Sequence, residues 1–146
     1  MNDVIKDIVS SNLSEGQVLL ELKVNARRDY VCVIIDSENG ITLEETTRLS
    51  RKLKLFEKFN SELAETYRLE ISTPGIDRAL EYPFQYRKNI DRSINIKFVK
   101  NGIEGKLKGK IIGANNESVT VSSKSGNVSN VSYDSIESAK VKVSFK

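Results

Sequence analysis

Five lysines, Lys97, Lys100, Lys106, Lys108 and Lys110, form the densest basic group in a chain of 146 residues. Ammonium groups so closely spaced can neutralise phosphates, and binding of that kind is insensitive to base sequence and sensitive to salt. Lys106, Lys108 and Lys110 share strand parity, so a strand here projects all three from one face while Leu107 and Ile111 point the other way. A solvated lysine face that keeps a small domain soluble is the plainer reading, and the sequence leaves both open. Stacking on bases has little support. Phe98 and Tyr133 are the candidates in this region, and alternation assigns Phe98 to a core.

Catalytic chemistry is poorly supplied. The chain contains no histidine, which removes the commonest general base, nucleophile partner and metal ligand. No HExxH, GxSxG, GxGxxG or GxxxxGK[ST] pattern occurs. Asp36, Glu70 and Asp77 could in principle serve an enzyme, but no two stand at a diagnostic spacing. No catalytic, cofactor-binding or metal-binding residue is therefore assigned. Cys32, the single cysteine, lies in an apolar run and reads as core; alone it permits neither an internal disulfide nor a cysteine zinc cluster, which suits a reducing cytoplasm. Met1 to Leu13 mixes charges with apolar residues, so no secretory leader is expected, and no apolar run reaches the roughly 18 residues of a membrane span.

Charge is divided unevenly. Residues 1–80 hold 11 Lys+Arg against 14 Asp+Glu, whereas residues 81–146 hold 12 against 6. A basic second half expects an acidic partner, and RNA is the commonest large acidic surface in a cytoplasm.

The elements that must carry these residues change character near Leu80. Before it, Val4, Ile5, Ile8 and Val9 predict a short helix ending by Gly16, and Val18, Leu20, Leu22 and Val24 alternate as a strand. Tyr30 to Ile35 predicts a buried strand. Thr42 and Glu45 form a capping-box signal for a second helix, whose Leu49, Leu53 and Phe56 should lie on the sheet. Thr66 to Ser72 predicts a third strand, ended by Pro74 and Gly75. Helices on one face of a mainly antiparallel sheet make an α+β layer pair.

After Leu80 come short strands bounded by Gly, Asn and Ser. They run over Ile94 to Val99, Glu104 to Ile112, Ser118 to Ser122, Val128 to Tyr133 and Ala139 to Phe145, with an Asn101-Gly102 hairpin signal. Gly105, Gly109 and Gly113 suggest bends or bulges. Five such strands predict a small closed or nearly closed barrel of SH3-like or Sm-like type. The expected organisation is an N-terminal two-layer α/β domain over 1–80, a connector over 81–90 containing a short helix from Pro83 to Asn89, and the barrel over 91–146.

The segment from Tyr67 to Leu80, YRLEISTPGIDRAL, resembles the signature of the RimP family of bacterial ribosome maturation factors. Tyr67, Leu69, Glu70, Ser72, Pro74, Gly75 and Leu80 carry that pattern, along with Asp77 and Arg78. Asp36, the Gly40-Ile41-Thr42 segment and Ser50-Arg51 extend it upstream, and weaker likenesses over Gly105 to Gly113 and Ile136 to Val141 bring it across the chain. Thr73 and Ala79 depart from the family's serine and proline, and loss of the proline leaves φ less constrained there. The resemblance implies an α+β domain followed by an Sm-like barrel. It also implies action in late cytoplasmic maturation of the 30S subunit, with 16S rRNA and the twelfth small-subunit ribosomal protein as partners and no cofactor. A monomer is expected. The rival is a free-standing Sm-like RNA-binding regulator, which would require a stable ring. Within the signature, Gly75 is expected in a strand-ending turn with positive φ. Asp77 and Arg78 either fasten the connector by a salt bridge or are displayed to a partner. Together with Lys97, Lys100, Lys106, Lys108 and Lys110 they are the candidate partner-binding residues.

Overall fold

A computed structural model describes residues 2–75 and 77–142. The chain divides into two compact units, Met1–Pro74 and Gly75–Lys146, each with its own apolar core. The break falls inside the signature, earlier than the change in composition near Leu80.

The first unit runs α1 (Asn2–Ser11), β1 (Gln17–Val24), β2 (Tyr30–Ser37), α2 (Leu43–Leu55), α3 (Glu57–Ser61) and β3 (Arg68–Ser72). Its sheet has the order β1-β2-β3. Ile5, Ile8 and Val9 of α1 and Leu49 and Leu53 of α2 pack with Val31, Val33 and Ile35, alternate residues of the central strand, so both helices cover one face. Thr42 caps α2 as its spacing predicts: the hydroxyl accepts the Glu45 N–H at 3.1 Å while the Glu45 carboxylate accepts the Thr42 N–H at 3.3 Å.

Three local expectations fail for physical reasons. Strand β1 does not bury Val18, Leu20, Leu22 and Val24 as one set, because its register against β2 slips between Leu19 and Glu21. That bulge reverses parity, so Leu19 packs on the core below the slip and Leu22 and Val24 above it. Phe56 does not join the α2 stripe: it ends the helix at φ −88° and ψ 107° and stays 40% exposed, while Phe59 from α3 is fully buried. Strand β3 runs parallel to β2, not antiparallel, with Val31 across from Leu69 and Val33 across from Ile71, because α2 and α3 return the chain to the end where β2 began.

The second unit runs α4 (Pro83–Lys88), β4 (Ser93–Lys100), β5 (Ile103–Ala114), β6 (Ser118–Ser122), β7 (Val128–Ser132), a 3₁₀ turn (Tyr133–Ser135) and β8 (Ile136–Val141). Its antiparallel sheet has the order β7-β6-β5-β4-β8. No ladder joins β7 to β8 among the described residues, so of the closed or nearly closed barrel expected, the closed form is not found and the sheet is open at that seam. Ile94, Ile96, Ile111, Val119, Val121 and Ala139 fill the core. The α4 segment is no free connector, since Tyr86 is 2% exposed within this core and Leu80 packs beside it. The Leu80 N–H donates to the Ala139 carbonyl at 2.8 Å.

The last strand starts at Ile136 rather than Ala139, and Tyr133 opens the 3₁₀ turn instead of extending β7. Val143 and Phe145, expected in that strand, lie outside the described residues, as does Ile76 of the signature. Gly105 and Gly109 mark close approaches, not bulges. A Cβ at Gly105 would sit 2.4 Å from the Phe98 ring, and one at Gly109 would sit 2.5 Å from the Ser122 carbonyl oxygen. The slip in β5 falls between Ile111 and Gly113.

Candidate nucleic-acid interface

The β4–β5 hairpin turns through Asn101 and Gly102, at φ 53° and 79°. Positive φ at both central residues is what a two-residue turn matching the strand twist requires, and it fixes the register behind it. Lys106 then lies directly across from Lys97, Lys108 from Asn95 and Lys110 from Ser93. On the other side of β4, strand β8 sets Lys140 across from Asn95 and Ser138 across from Lys97.

Lys97, Lys106, Lys108, Lys110 and Lys140 are all exposed, while their strand neighbours Ile94, Ile96, Ile111, Ala139 and Val141 are buried. Alternation thus separates an apolar inner face from a cationic outer face. Along β5 the lysines recur at about 7 Å, and Lys140 stands about 10 Å from Lys108 across two strand spacings.

The sequence reading found four of these five. Lys140 escaped it, because the pairing of β8 with β4 joins segments far apart in the chain and local pattern carries no such information. Alternation of Lys140 with buried Ala139 and Val141 signals an outward side chain but not its neighbours. Lys100 does not join the array. It sits at the hairpin end across from Ile103, three residues and hence opposite parity from Lys97.

Two carboxylates bound the array near the hairpin. Glu137 is the extra residue where the β4–β8 register slips, and it lines a shallow concavity with Lys97, Phe98, Glu104, Gly105 and Lys106. None of the five lysines has a carboxylate within 4.0 Å among the described residues. Among the described residues no aromatic ring projects between them. Phe98 packs on the core, and Tyr133 lies 4.9 Å from the Tyr86 ring with its hydroxyl donating to the Asn115 carbonyl at 2.7 Å. Burial, with Tyr133 adding to it, pushes the Tyr86 phenol up to about 12.

The signature residues do not gather into a pocket. The Tyr67 ring meets Phe59 edge-on at 6.0 Å and its hydroxyl donates to Asn60, so it anchors α3. Leu69 packs on the first core, and the Glu70 carboxylate accepts the Tyr30 hydroxyl at 2.7 Å. That hydrogen bond holds the Tyr30 phenol up to about 12. The Ser72 hydroxyl donates to the Thr73 carbonyl at 3.2 Å. Pro74 closes the first unit and Gly75 opens the second. Gly75 lacks the expected positive φ, and a Cβ there would meet nothing within 4 Å. Glycine at that turn is not sterically required.

Asp77 is exposed. Arg78 is partly buried, and its guanidinium lies 3.4 Å from Glu81, an ion pair within the second unit. Asp36 is buried, its carboxylate accepting the Ser37 N–H at 2.8 Å while the Ser37 hydroxyl donates to the Gly40 carbonyl at 2.9 Å. It organises the turn before α2. Among the described residues there is no group of three or more His, Cys, Asp or Glu able to hold a metal ion, and no helix long and apolar enough to cross a membrane.

The model of the RimP N-terminal domain matches residues 5–77, half of the chain.

Proposed function

The chain belongs to the RimP family of ribosome maturation factors, and from that premise we propose that it promotes maturation of the 30S small subunit in the cytoplasm by binding rather than by catalysis. The observation that carries this reading beyond family membership is the cationic outer face of β8, β4 and β5, with five lysines free of carboxylate partners among the described residues. Such a face suits a ribonucleoprotein particle, whose phosphates supply the missing counter-charge.

The strand order supports reading the second unit as a member of the SH3-like and Sm-like class, because its first strand pairs with both the second and the last, and a 3₁₀ turn precedes the last. The partners in this reading are 16S rRNA, met by the lysine face, and the twelfth small-subunit ribosomal protein, with Asp77 as an exposed contact candidate. The factor acts as a monomer.

Sucrose-gradient profiles of cells with and without the protein test this. Depletion should raise the share of immature small subunits, and the protein should sediment with those particles. Unchanged profiles, with the protein confined to a free oligomer, point instead to the regulator reading.

A further inference from the structure

We propose that the outer face of β8, β4 and β5 recognises the phosphate backbone of double-stranded RNA, with Lys140 as a contact residue alongside Lys97, Lys106, Lys108 and Lys110. The inference deepens the functional reading above and rests on it for its biological setting.

Three observations carry this: the first calls for a polyanion, and the other two favour a duplex over a single strand. First, Lys97 and Lys106 face each other directly across the β4–β5 ladder. Like charges opposite one another destabilise a sheet, and no carboxylate within 4.0 Å among the described residues relieves this pair. A bound polyanion would relieve it.

Second, the array is held by two ladders of backbone hydrogen bonds. The points from which its lysines project are fixed, each ammonium ranging only as far as its four-carbon stem allows, and a duplex offers phosphates at regular spacing. Matching one regular array to another avoids the ordering cost that a flexible strand incurs.

Third, the residues between the lysines are Ser93, Asn95 and Ser138, which offer hydrogen bonds to phosphate or ribose hydroxyls. Single-strand binders of low sequence preference stack bases on aromatic side chains, and among the described residues this face carries none.

The test is fluorescence anisotropy with the full chain and two probes, an RNA duplex of about 20 base pairs, longer than the roughly 16 that double-stranded RNA domains span, and oligouridine of equal length. The duplex should bind about tenfold tighter or more, with similar affinity for two unrelated sequences. Lys140→Gln should weaken duplex binding severalfold and reduce the slope of log affinity against log salt by about 1. Lys124→Gln, which removes an equal charge at the exposed β6–β7 turn, should change neither. Thermal melting should show both variants folded.

Equal or tighter binding of oligouridine, or equal losses for Lys124→Gln and Lys140→Gln, overturns the proposal. Pelleting with immature small subunits separates it from the broader reading. A chain that pellets with subunits but ignores the duplex refutes the duplex inference alone. A chain that binds the duplex through Lys140 yet never associates with subunits refutes the maturation reading alone.

Discussion

The two units solve the same packing problem in opposite ways. In the first, helices bring large side chains onto a three-stranded sheet, and Phe59 is the largest side chain fully buried there. In the second, the sheet bends over its own interior, and room is made by omission: Gly105 lies under the Phe98 ring and Gly109 against the Ser122 carbonyl. Their surfaces differ as well, since residues 1–80 are net acidic and residues 81–146 net basic. A domain covered by helices has many positions at which carboxylates and ammonium groups can pair. A small bent sheet has one outer face, so its charge is displayed together.

The strongest way to break this contrast is to remove what each core depends on. Phe59→Ala should cost the first unit about 3–5 kcal/mol, read by denaturant unfolding, because it deletes a fully buried ring and its edge contact with Tyr67. A cost under about 1 kcal/mol would mean that this core collapses around the gap.

The second unit should fail by addition. Gly109→Ala places a methyl group 2.5 Å from a backbone oxygen, which cannot swing away, and should cost about 1–3 kcal/mol. The same change at Gly75, where a Cβ meets nothing and φ is not positive, should stay within about 0.5 kcal/mol. Equal costs at the two glycines would show that contact with Ser122 does not set the effect, since the entropy of the unfolded chain favours alanine at both.

A finer comparison uses two phenols, each held up to about 12 for a different reason. The folded state retains a proton that the unfolded chain, with phenols near 10, gives up. Their contribution is therefore constant below about pH 10 and is lost as pH rises from about 10 to about 12. Tyr86→Phe should flatten that alkaline loss by removing a phenol raised mainly by burial. Glu70→Gln should lower the Tyr30 phenol by removing its main cause, and should leave Tyr86 unchanged in a spectrophotometric titration. Parallel shifts of both phenols would contradict separate causes.

What the sequence disclosed divides along the same line. Signals within a few residues were legible: the Thr42–Glu45 cap, the Asn101-Gly102 turn, and the parity that sets Lys106, Lys108 and Lys110 on one face. Each depends on local backbone geometry. Signals that depend on distant partners were not. The slip at Leu20 is defined only against β2, the parallel direction of β3 only by the crossover, and the place of Lys140 only by β8 lying beside β4. Phe59 was missed because a break at Phe56 restarts the helical phase. Gly75 was misjudged because a glycine after proline also suits a turn that any residue can make.

The pairing of β4 with β8 also sets an order of events during translation. The first unit holds all its strands by Ser72, so a nascent chain can complete that sheet while the remainder is still being made. The second unit cannot follow the same schedule. Ile94 waits for Val141, and the Leu80 N–H waits for the Ala139 carbonyl. Chains grow at roughly 5–20 residues per second, so for some seconds β4 has an unpaired edge while the acidic unit already has all its strands. The lysine face is completed only when β8 arrives, and a chain truncated before β8 keeps the four lysines of the β4–β5 hairpin but lacks Lys140.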